Sequence, residues 1–259
     1  MYNLFCGSKD TYPLTDFVPK SIPWDSGQLI GHLDKNKIML SDDVIAANKP
    51  VFWDNLCSEY DAENFCLYLK QEGFDLSPDF KAFEYVWRRD EYNHYLGFQH
   101  IYCILYDTTA QEVESRLNQR STNFEPIRSL LEDEFKTCLL LAYDEIATTK
   151  SYAADYDFYG SFGHRNFLKW IKLVTRDEAY HFNNCMEVIG KNHYHRVHEI
   201  PGLVDQFIAW DIQRNVYEGT FVLDHENYSE DFLVACGHLM KQYFRSPEVK
   251  KQFPVPGGR

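Results

Sequence analysis

Apolar residues return at a helical period through four long stretches of the chain, and carboxylates or histidines interrupt the stripes of the second and fourth. The first stretch runs from about Val51 to Glu72 and stops at Gly73. The second opens at Ser77-Pro78, a capping serine before a first-turn proline, and continues to about Tyr106. Its stripe is Phe83, Trp87, Glu91, His94, Phe98, Ile101 and Leu105. The third starts near Pro126 and continues to about Tyr159. The fourth follows "GSFGH" and ends at Gly190, with Trp170, Leu173, Val174, Asp177, Glu178, His181, Cys185, Val188 and Ile189 on one face. Shorter helices are expected near 203–218 and 229–245.

Residues 1–48 carry Pro13, Pro19 and Pro23 with little periodicity, and read as a lead-in that packs over the body. No series of alternating short runs suggests strands. The breaks at Gly73 and at Gly160–Gly163 are tight, whereas residues 107–125 make a longer connection. Short, long and short connections predict an all-α four-helix bundle with one long crossover. The expectation is one domain, with its core at about 50–190 and additional helices at 200–246.

Composition narrows the function classes. The chain has 259 residues, 44% of them hydrophobic, enough for a large core. A net charge of -13 disfavours non-specific binding to nucleic acid or to an anionic membrane. The longest apolar run, "CLLLAY" at 138–143, is far below the roughly 18–20 residues of a membrane span. "MYNLFCGSKD" has no basic stretch followed by an apolar one, so no secretory signal is expected. Seven scattered cysteines without Cys-x-x-Cys read as reduced thiols in a cytoplasmic protein, and argue against a zinc ribbon. There is no Gly-rich phosphate loop and no Gly-x-Ser-x-Gly elbow.

Two short motifs carry the candidate chemistry. "RDEYNH" in the second helix and "RDEAYH" in the fourth are both Arg-Asp-Glu-x-x-His. Glu and His three apart stand one turn apart on one helix face, so each helix can offer an oxygen and a nitrogen to one ion. A single copy is weak, since it is commonly a solvated face. Two copies match the pattern of a di-metal carboxylate bundle, which also needs one lone Glu on each of the other two helices. On the third helix that residue is Glu145, among Leu140, Leu141, Ala142, Ile146 and Ala147. Glu145 and Glu178 lie almost equally far from the turn near residue 161, so an antiparallel hairpin levels them. Glu59 stands 16 residues before a turn near residue 75, and Glu91 stands 16 after it. Glu63 would sit about 6 Å off that level at ~1.5 Å per residue, so Glu59 is preferred and Glu63 is the alternative.

The proposed ligands are therefore Glu59, Glu91, His94, Glu145, Glu178 and His181. Four carboxylates and two imidazoles favour iron or manganese over zinc. Their charge of -4 would balance two divalent cations, which makes burial tolerable. Asp90 and Asp177 are expected to receive the far ring N–H of the histidine on the opposite helix. The alternative is a surface pairing with Arg89 or Arg176. "HYHRVH" at 193–198 reads as a solvated loop in preference to an accessory metal site. His164, Arg165, Lys169 and Lys172 read as surface charge in preference to a docking patch. Trp87 and Trp170 read as core; an electron path would run through Trp53 or Trp87.

"DEAYH" and "EIAT" resemble the soluble acyl-carrier-protein desaturases, a branch of the ferritin-like non-haem di-iron proteins. The resemblance covers about residues 55–190. It implies a ferritin-like bundle, two iron ions, dioxygen as oxidant, ferredoxin as electron donor, a homodimer and a fatty acyl chain on an acyl carrier protein. It also implies a threonine near the oxygen site three residues after the third-helix Glu, which is Thr148 here. A hydroxyl bonded back to the carbonyl of residue 144 is the alternative role of Thr148, and Thr149 is the runner-up. Fatty-aldehyde-deformylating oxygenases share the ligand pattern, and so do the arylamine N-oxygenases. The extra histidine of the latter would fall at Val174. An iron-storage protein is the reading from another class. An elongated apolar tunnel beside Glu145 and Thr148 would favour the enzyme acting on an aliphatic chain.

Overall fold

The computed structural model describes residues 12–213, 221–225 and 228–253. These residues are all-helical, with no strand among them. In chain order the helices are α1 (Ser26–Ile30), α2 (Asp42–Ala47), α3 (Lys49–Glu72), α4 (Pro78–Leu105), α5 (Ala110–Leu117), α6 (Glu134–Ala154), α7 (Tyr156–Ser161), α8 (Arg165–Asn192), α9 (Ile200–Ile212), α10 (Glu230–Tyr243) and α11 (Pro247–Gln252). None of them is long and apolar enough to cross a membrane. Cys6 and residues 214–218 of the expected shorter helix lie outside the described residues.

The long helices begin and end where local chemistry dictates. Gly73 stops α3 in the left-handed region at φ 68°, which costs glycine no Cβ clash. Ser77 then caps α4, its Oγ accepting from the Phe80 amide at 3.1 Å with Pro78 in the first turn. The third stretch departs from expectation. It is a 3-10 turn at Glu125–Leu130, then α6, then α7. Asp133 is extended at φ -151° and accepts from the Lys136 amide at 2.9 Å, so it starts a new helix where periodicity alone suggests continuity. The crossover at 107–125 holds α5, fixed by a Thr109–Glu112 capping box.

The helices pack as two hairpins, α3 with α4 and α6 with α8, and α4 meets α8. That last contact is close. A Cβ on Gly97 of α4 would lie 2.4 Å from Trp170 Nε1 of α8, so glycine is what lets the indole lie against the backbone. An added methyl there would cost about 1–3 kcal/mol through overpacking. Trp170 in turn donates to Ser26 Oγ at 3.0 Å. The lead-in thus straps the α4–α8 seam: Ser26 also bonds Asn93, and the Lys20 backbone both gives to and receives from Asn184.

Buried apolar side chains divide into two clusters. One includes Ala62 and Phe65 of α3, Phe83 and Trp87 of α4, Leu139–Tyr143, Ile146 and Ala147 of α6, and Phe182 and Cys185 of α8. The other includes Phe52 and Leu56 of α3, Tyr95 and Phe98 of α4, Tyr152 of α6, and Trp170 and Val174 of α8. On α3, α4 and α8 the polar motif residues occupy the belt between the clusters. Glu145 reaches that belt from within the first cluster.

Candidate metal centre

The structure brings all six proposed ligands together in the buried belt. Glu59, Glu91, His94 and Glu178 place one ligand atom each within 4.8 Å of one another, and so do Glu91, Glu145, Glu178 and His181. Glu91 and Glu178 belong to both groups, whereas the other four belong to one. All six residues are at most 5% exposed. Each histidine turns Nδ1 inward: His181 Nδ1 lies 3.0 Å from Glu178 and 3.3 Å from Glu145, and His94 Nδ1 lies 3.2 Å from Glu178 and 3.3 Å from Glu59. Glu63, the alternative on α3, is elsewhere, in a bidentate ion pair with Arg88 at 2.6–2.8 Å.

The two aspartates satisfy both readings at once. His94 Nε2 faces Asp177 Oδ2 at 3.4 Å, and His181 Nε2 faces Asp90 Oδ2 at 3.5 Å, each across the α4–α8 seam. Their other oxygens accept from Arg176 and Arg89 at 2.7 Å. Sequence reasoning does not find the remaining supports. Trp24 of the lead-in donates to Asp177, Ser21 Oγ to Asp90 at 3.3 Å, Tyr152 to Glu59 Oε1 at 2.8 Å, and Trp87 Nε1 to Glu145 Oε1 at 2.7 Å. The two tryptophan contacts have no local signal, because both partners are far apart in the chain. Trp87 is thus core and a direct neighbour of the cluster, while Trp53 lies under the Arg116 guanidinium at 3.7 Å.

The donor set behaves as one built around positive charge. Burial, then Glu178 and Glu59, hold Glu91 well above the usual carboxylate range. Burial pushes Glu145 up to about 8 against the pull of His181. Burial by itself lowers both histidines, but the carboxylates reverse this and hold both well above their ordinary value: Glu178 and Glu59 for His94, Glu145 for His181. Glu178 is the exception. Against burial, His94 and His181 hold it well below the usual range. Glu59 Oε2, Glu91 Oε1 and His94 Nδ1 are buried and make no hydrogen bond among the described residues. Such atoms are expensive to leave unpaired, and a shared cation would satisfy them together. The residues therefore fit a pair of divalent ions.

A cavity of about 370 Å³ reaches Glu59, Glu91, Glu145 and Glu178. The exposed Pro50, Val51 and Asp54 mark its mouth. Thr148 lines it, and the back-bond to a helix carbonyl is made by Thr149, to Glu145 O at 2.7 Å. The wall is not the elongated apolar tunnel that an aliphatic chain would call for. Asn55, Ser58, Asp144, Ser151, Asp224 and Tyr228 stand in it beside Phe221 and Tyr152.

The histidines and basic residues singled out near the ends of α8 form no such group among the described residues. His193 Nε2 pairs with Glu134 at 2.9 Å, His195 and His198 are exposed, and Lys172 lies over the Tyr156 ring. Comparison with protein-family models, with curated proteins and with solved structures finds no match for this chain.

Proposed function

We propose that the chain is a ferritin-like bundle enzyme that holds two iron ions and uses dioxygen to oxidise a small substrate. The observation that carries this reading is the belt of four carboxylates and two imidazoles on four helices, with a cavity running from the surface to the carboxylate side. Manganese fits the same donors. Glu59, Glu91, His94, Glu145, Glu178 and His181 would hold the two ions, Glu91 and Glu178 being common to both groups of donors. When bound, the ions would supply the electrons and the coordination site for dioxygen, recharged by a donor such as ferredoxin.

The chain's own residues have distinct tasks in this proposal. Asp90 and Asp177 hold each imidazole by its outer nitrogen, so Nδ1 is turned inward as the ligand atom. Tyr152 and Trp87 fix one oxygen each of Glu59 and Glu145 and leave the second for the ion. The strap at Ser21–Ser26 keeps water away from the aspartates. Thr148, which lines the cavity three residues after Glu145, would hold or give a proton there.

Cavity polarity refines the substrate class. A saturated acyl chain would leave Asp144, Asp224 and Ser58 facing hydrocarbon, at the cost of burying polar groups against it. A small polar substrate suits this wall better than a carrier-linked fatty acyl chain or a fatty aldehyde, and the net charge of -13 is also unfavourable to an acidic carrier. Iron storage is the second reading, favoured by the acidic wall alone; a cavity of about 370 Å³, the size of a small-molecule site, favours turnover.

The test is to reduce the iron-loaded protein, add dioxygen and follow small amines, alcohols, amino acids, fatty acids, aldehydes and acyl carriers by mass spectrometry. Loss of two hydrogens or gain of one oxygen in a polar compound is the expected outcome. Release of ferric mineral with no change in any organic compound would instead establish storage.

A further inference from the structure

One more group of side chains converges on the same cavity and takes no part in the six-residue cluster. Asp144 of α6, with Asp224 and His225 of the segment after α9, place one ligand atom each within 4.8 Å of one another. Asp144 is 8% exposed, and its buried Oδ1 makes no hydrogen bond among the described residues. The His225 Nε2 lies 3.7 Å from that oxygen, too far for one.

His225 is held from behind. Its Nδ1 lies 2.9 Å from Asp211 Oδ2, and its backbone N–H donates to Asp211 Oδ1 at 3.0 Å. Tyr143 donates to the same Asp211 at 2.8 Å, and Asp211 is 2% exposed. A buried carboxylate thus fixes one ring nitrogen and turns the other toward Asp144. That is how proteins orient a metal-bound imidazole, and the inner centre of this chain uses the same device with Asp90 and Asp177. Ser58 Oγ donates to Asp224 Oδ2 at 3.1 Å, which orients the third donor. Among the described residues, the cavity lining holds no lysine or arginine to neutralise these carboxylates.

We propose that Asp144, Asp224 and His225 form a third cation site, for a divalent metal ion, in the outer wall of the cavity. Two carboxylates and one imidazole with open positions suit manganese(II) or iron(II). The site shares no ligand with the inner centre, so it does not depend on the inner ions. A structural imidazolium clamped by Asp211 is the competing arrangement, and it leaves Asp144 Oδ1 without a hydrogen bond.

The test uses the full chain stripped of metal, titrated with manganese(II) alone and followed by electron paramagnetic resonance and elemental analysis. Wild type should bind three ions per chain, two inner and one outer, and Asp224→Asn should bind two. Asp211→Asn should bind the outer ion about 10- to 100-fold more weakly, because its orienting carboxylate is gone. Asp224 is half-buried and asparagine is isosteric, so folding should survive; far-ultraviolet circular dichroism checks this. Equal stoichiometry and equal affinity in wild type, Asp224→Asn and Asp211→Asn would overturn the outer site. A Glu91→Gln/Glu178→Gln variant that keeps one ion, lost again on adding Asp224→Asn, supports the outer site and separates it from the fate of the inner one.

Discussion

The inner six-residue centre and the outer Asp144–Asp224–His225 group line one cavity, yet they are built differently. Every residue of the inner six stands on a long regular helix, and apart from the His181–Glu178 contact within α8 the six meet one another across facing helices. The outer group takes one residue from α6 and two from an irregular segment, and Asp211 reaches it from α9. The electrostatics are alike: burial first, then neighbouring carboxylates, pushes up Glu91 inside and Asp144 outside, and carboxylates hold His94, His181 and His225 up against burial, His225 to about 10. The lesson is that four aligned rods level their carboxylates by register, while the loop's side chains are aimed one by one, His225 by Asp211 and Asp224 by Ser58, with a buried carboxylate behind the imidazoles in both places.

The strongest test of that contrast is Glu178→Ala. Because Glu178 belongs to both inner groups, metal analysis should find both inner ions lost, while Glu63→Gln, one turn beyond Glu59 on α3, should lose none. Unchanged iron in Glu178→Ala would end the inner assignment. The next effect is one of pH. Folding raises the Glu145 carboxyl from 4.5 to about 8 in the metal-free chain. Its contribution to stability is therefore complete below about pH 4.5 and is lost as pH rises toward 8. Denaturant titrations should show wild type losing stability relative to Glu145→Gln over about pH 5–8, by a few kcal/mol at about 1.4 kcal/mol per unit. Metal replaces that proton, so loading should remove the slope, and a slope that persists with metal bound would argue against Glu145 as ligand.

Smaller effects follow from the supports. Asp90→Asn and Asp177→Asn should each weaken inner metal affinity about 10- to 100-fold, read by competition with a chelator, and leave the outer ion in place. Smallest of all on metal content is Thr148→Val. It should leave every ion bound and slow turnover once a substrate is known; an undiminished rate would remove Thr148 from the chemistry.

Much of the inner half is legible in the order of residues. The repeated Arg-Asp-Glu-x-x-His, the lone Glu145 and the choice of Glu59 over Glu63 all follow from spacing and from counting residues to a turn. The third helical stretch is not, at either end, because Asp133 and Asp155 interrupt an apolar stripe that otherwise continues. The strap reads only as a lead-in, since proline-rich extended chain has no period from which to infer a contact such as Trp24 with Asp177. Asp144 does carry a signal, a second carboxylate inside "LLLAYDEIA", but nothing local ties it to "LDH" some 80 residues later.

By itself, then, the chain's order of residues determined where three of the four long helices run, the level of their carboxylates and the likeness of the two halves, because a helix rises about 1.5 Å per residue and its heights can be counted. Tertiary structure alone decided which tryptophans and tyrosines hold the ligands, how polar the cavity is and that a second cluster exists. Trp24 and the Asp224–His225 segment lie on irregular backbone, whose dihedral angles follow no repeat, and Trp87 and Tyr152 reach across between helices to partners that no local spacing names.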